Sequence, residues 1–241
     1  MNDHSFGCMW WCAPVLWMLS VAILFALWAI LPTEMVRPLF DNEGASPVEL
    51  MTLPLFALVI PCVWLFPPCE ATSSRRRRIF WCSIWSLLAL MAIVRETDLH
   101  KLLAAQLFPE VVANFKGTVF KMRFLTSGSV PLVPKLFVAT FFAIFGASVL
   151  IPLVAYFRPL FKGFFKLQTT SWTMAFFGGT GVLIQIVDRL PANLRHAHIQ
   201  ASESLLSLMT ILEEGGEMIL AALALLAAIQ SYAIYNRNQK N

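Results

Sequence analysis

Charge is what this sequence has least of. Only 13% of its 241 residues are Asp, Glu, Lys or Arg, roughly half the 25% carried by a soluble domain. That excludes a soluble enzyme and, with the cations spread between apolar runs, a nucleic-acid-binding protein. Cysteine is sparse and odd in number, five in all, which excludes a secreted disulfide scaffold. There is no Walker-type phosphate loop, no G-x-S-x-G elbow and no H-E-x-x-H helix. Gly178, Gly179 and Gly181 surround Thr180, but they sit inside an apolar stretch, where close helix packing explains them better than phosphate binding. The first nine residues lack Lys and Arg, and no small-residue cleavage pattern follows the long apolar run after them. The start therefore reads as a permanent span and not as a cleaved signal peptide.

What is present is hydrocarbon. Apolar residues make up 58% of the chain and the mean hydropathy is +0.70. Runs of about 20 apolar residues recur, each long enough to cross a bilayer as a helix. The fold class expected is all-α: a polytopic integral membrane protein, a bundle of about six transmembrane helices forming one domain over residues 1–241. The spans fall near residues 10–31, 47–66, 79–98, 133–157, 169–187 and 213–235. The third needs residues 95–98 to reach full length. The sixth is ambiguous, because residues 205–212 are apolar too; it starts near Glu213 or near Leu205. No internal repeat and no loop of domain size interrupts this pattern.

With six spans both termini share a side with Arg75, Arg76, Arg77 and Arg78, and with Arg158, Lys162, Lys166, Arg237 and Lys240. The positive-inside tendency makes that side cytoplasmic. The opposite side also carries basic residues in its long loop, so the short early arginine run decides. All five cysteines, Cys8, Cys12, Cys62, Cys69 and Cys82, fall towards the same face, where thiols stay reduced. The expected location is a bacterial-type inner, or plasma, membrane. The expected partners are the lipid bilayer and other membrane proteins, with no nucleic acid. Residues 157–166 interleave aromatics with cations, a composition suited to the interface, and residues 115–124 repeat it on the other face.

Ionisable residues within spans are costly, and by default they mark function. Continued as a helix, the third span places Glu96 and His100 on one face, with Arg95 and Asp98 three apart. A carboxylate and an imidazole at that spacing can converge on one ion. The sixth span supplies Glu213, Glu214 and Glu217 within about one turn, beside Gly215 and Gly216, whose missing side chains are expected to let the end of the third span pack closely there. Alternation of the spans brings both groups to one level, together with Glu49, Asp188, His196 and His198. The expected metal ligands are Glu96, Asp98, His100, Glu213, Glu214 and Glu217, with a divalent ion as the cofactor, and Arg95 forms a structural ion pair with Glu217. The same residues equally suit a salt-bridge network without chemistry. Haem would need His100 with His196 or His198, and those two follow Pro191 in an expected loop.

The functional expectation is an accessory membrane protein that binds a cation or a partner helix. The alternatives are an integral-membrane metal-dependent hydrolase with a glutamate as general base, and a small proton- or ion-coupled transporter.

Overall fold

The computed structural model describes residues 9–41, 46–65, 74–115 and 119–240, with side chains to residue 234. Among the described residues ten helices follow one another: α1 Cys12–Ile30, α2 Thr33–Phe40, α3 Pro47–Leu65, α4 Arg75–Glu96, α5 Leu99–Leu107, α6 Pro109–Asn114, α7 Met122–Thr126, α8 Leu132–Phe165, α9 Thr169–His196 and α10 Glu203–Lys240. No strand occurs among the described residues. Six of them, α1, α3, α4, α8, α9 and α10, are long and apolar enough to cross a membrane. At a rise of 1.5 Å per residue the 19 residues of α1 reach about 28 Å, close to the roughly 30 Å of a bilayer's hydrocarbon.

Several ends differ from expectation, and each has a local cause. Helix α4 begins at Arg75, four residues early, because Ser74 is extended and accepts the Arg77 N–H at 3.2 Å. It stops at Glu96 instead of running on, since Asp98 takes a left-handed φ of 49°, a conformation that Asp tolerates better than most residues. Helix α9 passes through Pro191 to His196, so Pro191 does not end it; within a long helix a proline removes only one hydrogen bond. Helix α10 starts at Glu203, the earlier of the two readings, with Ser202 accepting the Leu205 N–H. Its acidic turn therefore lies about 15 Å along the helix. Helix α8 continues through the aromatic and basic segment to Phe165.

The start of α3 carries a reciprocal cap. Ser46 N–H donates to Glu49 Oε2 at 3.0 Å, and Glu49 N–H donates to Ser46 Oγ at 3.1 Å. Pro47 occupies the first helical position, where its missing N–H costs nothing. Ser46 is fully buried. Ser46→Ala is expected to lower stability by about 1 kcal/mol, and Ser46→Thr to keep most of it. Thermal unfolding in detergent measures both.

Helix α10 is the hub of the bundle, packed against α1, α2, α3 and α9, while α8 lies at the edge on α4 and α9. Leu24, Ile211, Ile219 and Leu223 form the main core with Val36 and Phe40 of α2. Gly215 and Gly216 let this happen. A Cβ on Gly215 would lie 2.4 Å from Leu24 Cδ2, and one on Gly216 would lie 2.8 Å from Ile184 Cγ1. The two glycines thus admit α1 and α9, and not α4 as the sequence suggested. A second core joins α3 and α4 through Val59, Val63, Cys82 and Ala89, with Ala224 and Leu225 of α10 packed against it. Polar pins reinforce the contacts, as they do between membrane helices: Trp17 Nε1 donates to Thr180 Oγ1 at 3.0 Å, and Thr173 Oγ1 donates to Gln230 Oε1 at 2.5 Å.

The aromatics of residues 115–124 serve packing here. Phe124 is buried with Val130 and Val138, and Phe115 and Phe120 close over them. Lys116 lies outside the described residues, as do Cys8 and Cys69.

Candidate functional site

Helices α4 and α10 meet at a charged group near one end of the bundle. The last residues of α4 are Arg95 and Glu96, and the facing stretch of α10 presents Glu214 and Glu217 one turn apart. Arg95 Nη2 pairs with Glu217 Oε1. The Glu217 side chain is 5% exposed while that of Arg95 is 42% exposed. The carboxylate is thus enclosed by the bundle, and the guanidinium reaches in from its flank. Carboxylate oxygens of Glu96, Glu214 and Glu217 all lie within 4.8 Å of one another. Three carboxylates that close, one of them buried, repel unless something positive is shared among them.

Two features of the chain build this group. Helix α4 terminates just where Arg95 and Glu96 reach the level of the acidic turn, so both side chains stay on the helix. The left-handed Asp98 then swings the chain away into α5. On α10, Gly215 and Gly216 seat α1 and α9 while the neighbouring Glu214 and Glu217 point to the remaining side.

The other expected ligands are placed elsewhere. Asp98 accepts from Lys101 Nζ at 2.7 Å in an exposed pair, with both side chains about half exposed. His100 is buried. Its Nδ1–H donates to the Val94 carbonyl at 3.2 Å, and its ring stacks on Phe141 and meets the edge of Phe120. The helix break after Glu96 is the reason, because the face shared by Glu96 and His100 existed only on an unbroken helix. Glu213 stands one turn before Glu217 and does not join the three-carboxylate group. Glu49 is engaged in the cap of α3. His196 and His198 are exposed at the end of α9, and no described group of three potential ligands contains a histidine.

Sequence reasoning missed two polar features. The Ser46 and Glu49 cap had a local signal in Ser-Pro-Val-Glu. The buried pair of Thr173 and Gln230 had none, since 57 residues separate them and only the packing of α9 on α10 joins them. No known family model, curated protein or solved structure matches this chain.

Proposed function

We propose that this is a multi-pass membrane protein whose carboxylate group between α4 and α10 binds a hard divalent cation. The observation that carries the reading is the convergence of Glu96, Glu214 and Glu217 within 4.8 Å. The outward faces support a bilayer as the solvent. On α1, Met18, Leu19, Ile23 and Ile30 are all exposed, the reverse of a helix that meets water. With the positive-inside tendency, the Arg75 end faces the cytoplasm of a bacterial-type inner membrane and the carboxylates lie in the outer half.

Fully ionised, three carboxylates and one guanidinium leave a formal charge of −2, which one divalent ion balances. The donors are oxygen only, a set suited to Mg²⁺, Ca²⁺ or Mn²⁺ and not to the sulfur- and nitrogen-preferring metals. His100 was the nitrogen donor that favoured a zinc-type hydrolase, and it packs against phenylalanines instead. The role therefore fits an accessory protein with a structural cation better than a hydrolase.

Mn²⁺ titration of detergent-purified protein, read by its electron paramagnetic resonance spectrum, tests this. One bound ion per chain is expected, with at least a tenfold weaker affinity in Glu214→Gln, which leaves the Arg95–Glu217 pair intact. Equal Mn²⁺ binding by both proteins, or none by either, would overturn the cation and leave protons to balance the carboxylates, as in a proton-coupled transporter.

A further inference from the structure

Acidic charge in this bundle is confined to one end. All eleven acids among the described residues lie at or towards the end where α4 finishes and α10 begins. The other end, where α4 begins and α8 finishes, has no described acid. It carries Arg75, Arg76 and Arg78 on α4, and Arg158, Lys162 and Lys166 along the last turns of α8. All six are exposed. None makes an ion pair with a described residue, and Arg78 spends one N–H on the Trp64 carbonyl at 3.1 Å.

The two helices are held together at that level. The ring centroids of Trp81 and Tyr156 lie 4.5 Å apart, and those of Trp85 and Tyr156 lie 6.5 Å apart. The cations continue from this contact in the same direction, down α4 and up α8. Residues 132–157 of α8 already cover about 38 Å, more than the roughly 30 Å of hydrocarbon, so its remaining turns emerge into the head-group zone. There Phe157, Phe161 and Phe165 form an exposed stripe one turn apart, 60%, 59% and 70% exposed, beside the stripe of Arg158, Lys162 and Lys166. On α4 the arginines stand at the positive end of the helix dipole, an arrangement that is unfavourable until an anion joins it.

We propose that this end of the α4–α8 pair binds an anionic phospholipid, its phosphate held by the cations of both helices and its acyl chains lying along the exposed phenylalanine stripe. The inference rests on the chain being membrane-spanning. The charge it needs is negative, the protein supplies none at this end among the described residues, and the apolar stripe beside the cations fits an acyl chain and not a free phosphate. Basic groups between membrane helices at the cytoplasmic face recognise lipid head groups by this combination.

The test compares wild type, Arg158→Gln/Lys162→Gln/Lys166→Gln, and Lys121→Gln/Arg123→Gln, which removes cations at the opposite end. Each is extracted from the same membranes in mild detergent, and native mass spectrometry then counts bound phosphatidylglycerol and phosphatidylcholine. Each cation near an anionic lipid contributes about fivefold in affinity, so the triple variant should bind phosphatidylglycerol roughly a hundredfold more weakly. The opposite-end variant should bind like wild type, and phosphatidylcholine weakly throughout. Equal phosphatidylglycerol binding by wild type and the triple variant would overturn the site, as would equal binding of both lipids by wild type. Should the triple variant aggregate, the single changes Arg158→Gln and Lys162→Gln must each weaken binding, and no loss in either would overturn it too. Recovery of wild type in the soluble fraction would instead refute the membrane reading, so the two failures are distinguishable.

Discussion

Arg95→Ala is expected to destabilise the bundle by about 3 kcal/mol, because it strands the enclosed Glu217 carboxylate without its partner. The size follows from the asymmetry of the pair. Glu217 is only 5% exposed and cannot turn to solvent, whereas Arg95 approaches from the rim. Glu217→Gln alone should cost less, since a neutral amide needs no counter-charge and the half-exposed guanidinium can turn towards the head groups. In the combination Arg95→Ala/Glu217→Gln the loss should be smaller than for Arg95→Ala, giving a coupling of about 1 kcal/mol or more between the sites. Chemical or thermal unfolding of the four proteins in one detergent measures the cycle. Strictly additive effects would show that the pair does not hold α4 to α10.

Gly215→Leu should be at least as damaging, by a different route. A Cβ alone would come within 2.4 Å of Leu24 Cδ2, 2.8 Å of Cδ1 and 3.2 Å of Cγ, and Leu24 is itself buried in the main core. The extra side chain has to push α1 away from α10 or force strained rotamers, with a cost of about 3 kcal/mol or more. Leu24→Ala in the same chain vacates the volume that the new leucine needs. The double variant should therefore be more stable than Gly215→Leu alone, although each single change destabilises. Lack of any rescue would mean that α1 does not seat on Gly215.

The helices and their apolar faces were readable because length and hydropathy respond to the same bilayer thickness that the spans must match. Six helices long and apolar enough to cross a bilayer follow from that alone. The terminations were less readable, because they depend on single backbone conformations. Nothing in Arg-Glu-Thr-Asp-Leu-His announces that Asp98 takes a left-handed φ, and that one residue separates Glu96 from His100. Pro191 misled in the other direction: its ring forbids one hydrogen bond, and the helix tolerated the loss. Glu96, Glu214 and Glu217 could be named from the sequence because buried charge is conspicuous in an apolar chain. The role of Gly215 and Gly216 was legible as close packing, but not the identity of the partners. Which helix lies over a glycine is a property of the whole bundle.

The position of α10 also bears on how the protein is made. This helix leaves the ribosome after the other nine described helices, yet it contacts α1, α2, α3 and α9. Until it arrives, α1 has no Gly215 to seat Leu24, and Arg95 waits at the end of α4 without Glu217. If the six long helices span a bilayer, the earlier ones can enter it in order, but their lateral assembly waits until α10 inserts. A chain released before residue 203 would leave Arg95 without Glu217 and Thr173 without Gln230, two polar contacts that only α10 supplies.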